Sequence, residues 1–368
     1  MFTKISPTAF ATLLGLAVSA LPAGGADAPA AAAVLPVDPA DLVAHYRGGP
    51  ATPADYAEMA PLKQLPLLTP GAGDGDYRLH PPYANALELT AKPGVPKGKV
   101  VKFTLNAAES KFYPNTGLRD WKPTRSVTVY IPSQYVRGTP APLLLTHDEL
   151  GARGNQLATI LDNMIADHRL PAMVAVMVAH GGGDARGSER GAEYDTVSGK
   201  YAEFIEAEVL PRVAKDYNVT FTKDPDGRAT MGGSSGGAVA FTMAWFRPDL
   251  YHRVLTYSGT YTNNETPKDP ALPNGAWEYH QHLIPQTPAK PLRVWLEAGA
   301  NDNGSTNTAA DLHNWVIANE RMAAVLKAKG YHCQFVYAEG AGHNDGKVVN
   351  QTLPQALEWL WQGYQPPK

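Results

Sequence analysis

A single cysteine, Cys333, stands in a chain of 368 residues. One thiol excludes an intrachain disulfide, so stability must come from a packed core. The thiol itself reads as a buried strand residue. Charge is scarce too: 18% of residues are charged, the formal net charge is −3, and no run of lysine and arginine occurs. That excludes a nucleic-acid footprint and leaves a small or weakly charged substrate as the expectation. After the first residues no stretch is long and apolar enough to cross a membrane, so no stable membrane insertion is expected.

What is present is apolar, punctuated and long. The chain is 44% hydrophobic, enough to bury one large α/β domain with an extra segment. Its 32 prolines and 34 glycines point to many loops around a sheet. The N-terminus carries Lys4, an apolar stretch from Ala9 to Leu21, and Ala26-Asp27-Ala28, which fits the small-x-small rule for cleavage. Residues 1–28 are therefore expected to be a secretory signal peptide, and the mature chain to be periplasmic or extracellular. The only cysteine is far from that cleavage site, which argues against a lipoprotein. Residues 29–98 read as an irregular Ala/Pro-rich arm, and 99–368 as the catalytic domain.

From Lys99 onward, short apolar runs alternate with amphipathic segments. Val100–Leu105 and Ser126–Ile131 alternate apolar and polar residues, as in an antiparallel pair at a sheet edge. The runs beginning at Pro142, Met173, Arg228, Arg253, Leu292 and Gln334 are mostly continuous, as expected of strands covered on both faces. Segments near 156–168, 198–216, 238–247, 312–329 and 352–362 have helical character. The pattern predicts a mostly parallel central sheet with helices on both faces.

The most informative run is Met231-Gly232-Gly233-Ser234-Ser235-Gly236-Gly237, placed between the strand at Arg228 and the helix-like Ala238–Trp245. Its G-x-S-x-G spacing is that of a nucleophile elbow, where a serine sits on a strained turn at the end of a strand. Bulk two residues before or after the serine would drive the strand into the helix. Both Gly232-x-Ser234-x-Gly236 and Gly233-x-Ser235-x-Gly237 satisfy the spacing. Only the Ser234 frame leaves a further glycine after the motif.

In such a sheet, catalytic groups lie just beyond the carboxyl ends of the strands. Asp302 follows the strand Leu292–Leu296 in a loop of glycine and asparagine, with Glu297 as a rival acid. His343 follows the last strand, in Glu339-Gly340-Ala341-Gly342-His343. Serine, acid and histidine thus occur in the order of an α/β-hydrolase. Serine is a weak nucleophile, so an imidazole must take its proton, and a carboxylate must hold that imidazole in the right tautomer. Activity should accordingly fall as the pH drops far enough to protonate the base. An oxyanion hole would use the backbone N–H of Ser235 and one from the loop 146–151, with Glu149 or Leu150 as the donor.

These residues make the stretch from about Val127 to Trp361 resemble the esterase D or enterochelin-esterase-like branch of the α/β-hydrolases. Gly232-x-Ser234-x-Gly236-Gly237 with Arg228 before it is similar to that branch's elbow, and the similarity favours Ser234. Arg190-Gly191-Ala192-Glu193-Tyr194-Asp195 resembles its Arg-x-x-Glu-Tyr-Asp segment, and Gly299-x-x-Asp302 and Gly342-His343 resemble its acid and histidine loops. The loop His147-Asp148-Glu149-Leu150 departs from the glycine-rich form. The resemblance implies serine carboxylesterase activity through an acyl-enzyme, on siderophore trilactones, feruloylated or acetylated carbohydrate, or simple acyl esters. It also admits an acyltransferase, and the unusual loop and long arm admit a non-catalytic binding protein of the same fold. Arg190 is expected either to bind a substrate oxygen or to pair with Glu193 or Asp195. The aromatic-rich segment Gly259–Pro291 is expected to supply pocket residues, with Trp277 the candidate. His280-x-His282 lacks a nearby third ligand, so neither a metal nor any other cofactor is expected.

Overall fold

The computed structural model describes residues 56–366, apart from 58, 115, 149–151 and 185, and at 152–155 the backbone alone. The expected signal peptide and the first part of the arm lie outside the described residues. The strands are β1 (Gly75–Leu79), β2 (Lys99–Asn106), β3 (Thr124–Ile131), β4 (Pro140–Ala141), β5 (Leu143–His147), β6 (Val174–Val178), β7 (Thr220–Phe221), β8 (Arg228–Gly233), β9 (Arg253–Tyr257), β10 (Arg293–Asn301) and β11 (His332–Gly342). Nine of them form one sheet in the order β1-β11-β10-β9-β8-β5-β6-β3-β2, while β4 and β7 pair separately.

Only β3 joins its neighbours β2 and β6 in antiparallel fashion; the other pairings in the large sheet are parallel. The sequence accounts for the difference. Strands β5, β6 and β9 are buried at every position, which suits continuous apolar runs between two helical layers. Edge strand β2 instead exposes Lys102 and Thr104 while half-burying Val101, Phe103 and Leu105. Side chains alternate between two cores: Leu143, Leu145, Val174 and Val176 join one, and Leu144, Ala175 and Met177 join the other. Cys333 is buried on β11.

Helices α1 (Ala152–Ala166) and α7 (Gly346–Leu360) cover one face; α3 (Lys200–Phe204), α4 (Leu210–Tyr217), α5 (Ser235–Phe246) and α6 (Trp315–Ala328) cover the other, with the short α2 (Glu189–Tyr194) near the rim. All twelve residues of α5 are buried, which is why this helix shows no polar stripe. Two π turns, Ile205–Val209 and Tyr279–Leu283, each stop two residues short of a proline, Pro211 and Pro285. A proline has no N–H for the helical ladder and crowds the preceding turn, so the backbone widens there.

One segment differs from expectation. Residues 75–79 of the supposedly irregular arm form edge strand β1, in register with Gln334–Ala338 of β11. Polar groups fasten it: Arg78 pairs with Glu339 at 2.9 Å, and Lys327 pairs with Asp76.

Candidate active site

Five neighbouring strands end on one rim, and a polar residue follows each: Asp148 after β5, Ser234 after β8, Ser258 after β9, Asp302 after β10 and His343 after β11. Ser234 has φ 58° and ψ −130°, a conformation that a non-glycine residue holds only where its surroundings enforce it. They do so here through the backbone. The Ser234 N–H donates to the Tyr257 carbonyl at 2.9 Å, and the Ser234 carbonyl accepts from the N–H groups of Gly237, Ala238 and Thr260 at 2.9, 3.1 and 3.0 Å. The glycines permit this approach, since a Cβ on Gly232 would lie 2.3 Å from the Gly236 carbonyl oxygen.

Ser234 Oγ lies 2.8 Å from His343 Nε2, and His343 Nδ1 lies 2.5 Å from Asp302 Oδ1. The Asp302 side chain is fully buried, and its Oδ1 also accepts the Asn303 N–H at 2.7 Å. Glu297, the rival acid, is buried inside β10, where desolvation, with Asp302 second, holds its carboxyl well above the usual carboxylate range. Asp302, not Glu297, is the acid that touches the imidazole. Ser235 is excluded as the attacking group because its hydroxyl is buried against Asp195. As the first residue of α5, however, Ser235 offers an amide N–H with no intrahelical acceptor. Glu149, the other expected oxyanion donor, lies outside the described residues.

Arg190 does not use either anticipated partner. Its guanidinium grips Asp148 at both carboxylate oxygens, at 3.1 and 2.8 Å, with Asp184 at 3.4 Å, and rests over the Tyr194 ring. This fork-to-fork geometry commits most of its donors within the protein. The Asp148 N–H in turn donates to Tyr194 Oη at 3.2 Å. Next to it, burial pushes His147 down to about 3, so this imidazole is neutral.

A cavity of about 880 Å³ opens over Ser234 and His343. Ile160, Met231, Tyr257, Val349 and Leu353 give it an apolar wall on the α1/α7 side, and Asp184, Arg186, Arg190, Asn264 and Asn303 give it a polar one. Trp277 is not part of this lining. It is buried in the core with its ring 4.5 Å from that of His280. The tryptophan at the site is Trp315, which lines the cavity and stands edge-on to His343 at 6.0 Å. Its signal in the sequence is its place at the start of the helix after the acid loop, on the catalytic rim. His282 pairs with Glu278, and among the described residues no three His, Cys, Asp or Glu side chains are grouped to hold a metal ion.

The Esterase family model, "Putative esterase", matches residues 121–360. The chain belongs to this family and is a hydrolase of carboxylic esters. "Uncharacterized protein YbbA" of Bacillus subtilis (strain 168) is 23% identical over 251 residues, covering 64% of this chain and 92% of that one. Among solved structures, a ferulic acid esterase superposes with a TM-score of 0.52 at 20% identity, covering 73% of this chain and 99% of its own. The enterobactin esterase FES from Shigella flexneri gives 0.52 at 21% identity, over 74% of this chain and 61% of that one. These likenesses agree with the enterochelin-esterase-like fold that the motifs resemble. Among the described residues no helix is long and apolar enough to cross a membrane.

Proposed function

We propose that this chain is a serine carboxylesterase that works through an acyl-enzyme on Ser234. The observation that carries the reading is the unbroken line of contacts from Ser234 Oγ to His343 and on to Asp302, at 2.8 and 2.5 Å. With Asp302 holding the Nδ1 proton, Nε2 is free to take the Ser234 proton as Oγ attacks the ester carbonyl. The imidazolium then returns that proton to the leaving alcohol. A water attacks the acyl-enzyme in the same way, and His343 hands the proton back to Ser234. The Ser235 N–H supports the oxyanion in both steps.

The cavity favours an ester of some size over a minimal acetyl ester. Its apolar wall suits an aryl or branched acyl group, and its polar wall suits a hydroxylated alcohol such as a sugar or a siderophore serine. We read the chain as exported, on the basis of its leader-like first 28 residues.

Ser234→Ala decides the central point. It should lose essentially all hydrolysis of an aryl ester and all labelling by a fluorophosphonate, at an unchanged melting temperature. Full activity in that variant would end the reading. Comparing hydroxycinnamoyl, acetyl and siderophore esters then ranks the substrate classes.

A further inference from the structure

Ser234 Oγ has a second neighbour besides the imidazole. Thr260 Oγ1 lies 3.3 Å from it, and the Trp315 Nε1–H donates to the same Thr260 oxygen at 3.2 Å. Both residues are fixed from behind. The Thr260 N–H donates to the Ser234 carbonyl, the Asn319 side-chain amide donates to the carbonyls of Gly259 and Trp315 at 2.9 Å each, and the Trp315 N–H donates to the Asn303 carbonyl at 3.1 Å. Thr260 is buried, and Trp315 nearly so.

Counting protons orients every bond in this chain. Asp302 accepts, so the proton of the neutral imidazole sits on Nδ1 and Nε2 is an acceptor. Ser234 has one proton and gives it to Nε2. In its contact with Thr260, the serine oxygen must therefore accept and the threonine donate. Thr260 can spend its proton this way because the indole N–H, which can only donate, fills one of its lone pairs. The line runs in one direction: Trp315 to Thr260 to Ser234 to His343.

We propose that Thr260, oriented by Trp315, is a positioning residue that holds the Ser234 hydroxyl in the rotamer aimed at His343. Ser234 is anchored by its backbone, yet its side chain can still turn about one bond. A second partner that donates to Oγ favours the rotamer that reaches both it and the imidazole, while leaving the serine proton free for transfer. The same donor faces Oγ when it leaves the acyl group, where it stabilises the negative charge gathering on that oxygen. Thr260 thus acts through Ser234 and does not touch the substrate carbonyl.

The inference rests on the Ser234 reading, and the test separates the two. Wild type, Thr260→Val, Thr260→Ala and Thr260→Ser are compared for the rate of fluorophosphonate labelling, for kcat and KM on an aryl ester, and for melting temperature. Losing one hydrogen bond of ordinary net strength corresponds to about a fivefold fall. Thr260→Val should lower the labelling rate and kcat by about that factor with KM unchanged, and Thr260→Ser should restore both. Should Thr260→Val not fold, Thr260→Ala against Thr260→Ser makes the same comparison. If the hydroxyl-free variants label as fast as wild type, or Thr260→Ser is as slow as they are, the positioning role is overturned. Failure of the wild type to label would instead overturn the Ser234 reading.

Discussion

Replacing Gly232 by alanine tests the geometry that makes Ser234 available. The new Cβ would lie 2.3 Å from the Gly236 carbonyl oxygen, 2.4 Å from its carbon and 3.0 Å from its Cα. Ordinary contact begins near 3.4 Å, so strand β8 and helix α5 must separate by roughly 1 Å. Both partners are backbone, so no rotamer change relieves the clash. The cost belongs at the upper end of overpacking, about 3 kcal/mol, which in a chain of this size lowers the melting temperature by roughly 4 °C. Ser234 moves with the turn, and a displacement of about 1 Å at a reacting atom costs on the order of 100-fold in rate. Gly237→Ala is the control. Its nearest neighbours, the Gly232 carbonyl oxygen, Gly259 Cα and Thr256 Cβ, all lie at 3.2 Å and need give only a few tenths of an ångström. A better helix propensity offsets that, by about 1 kcal/mol. Melting curves and aryl-ester kcat for both variants suffice. A Gly232→Ala protein as stable and active as Gly237→Ala would refute the close strand-to-helix approach.

Two other perturbations probe the buried acids. Asp302→Asn should lower kcat by about 10³ to 10⁴-fold with little change in KM, because an amide favours the wrong imidazole tautomer; a larger loss in Glu297→Gln than in Asp302→Asn would reassign the acid. Glu265 is buried, and burial, aided by Asp269 and Asp195, pushes its carboxyl up to about 8. Because this pKa is raised on folding, the folded chain keeps a proton that the unfolded chain has released, so the group's contribution to stability falls as pH rises from the ordinary glutamate range to about 8. Glu265→Gln should match wild type in melting temperature near pH 4 and exceed it at pH 8, by on the order of 2–4 kcal/mol of stability. A difference that does not vary with pH would refute the neutral buried state.

The sequence made the central sheet legible because burial on both faces leaves continuous apolar runs, and a strand end followed by glycines marks the rim. Ser234, Asp302 and His343 stand out for that reason, each directly after its strand. Strand β1 left no such mark. Its first four residues are only half-buried, so Gly75-Asp76-Tyr77-Arg78 has neither an apolar run nor a clean alternation. The choice between the two tryptophans was equally hidden. Trp277 and Trp315 both follow strands on the catalytic side, and only the three-dimensional path of the chain puts one in the core and the other beside His343. Two adjacent serines satisfied the same spacing, and the positive φ at Ser234 with the inward turn of Ser235 separates them.

The Arg190–Asp195 segment gains its meaning from what each side chain holds. Arg190 grips Asp148 in the loop after β5, and Tyr194 Oη accepts the N–H of the same residue. Glu193 pairs with buried Arg125 and accepts the Gly181 N–H at 3.0 Å; burial pushes this carboxyl up to about 7. Asp195 takes the Ser235 hydroxyl and, at 3.3 Å, the Asn264 amide. Four neighbouring residues thus tie the loop after β5, the loop after β6 and the start of α5 to one short helix. Buried charges are costly unless paired and hydrogen-bonded, and Arg190 and Glu193 find their partners in Asp148, Arg125 and the Gly181 N–H. A site that binds negative charge in the transition state needs its donors fixed beforehand. The helix is therefore better understood as the frame of that site than as a substrate clamp. The other arginine of the cavity wall, Arg186, is exposed and anchored to the Asn263 carbonyl.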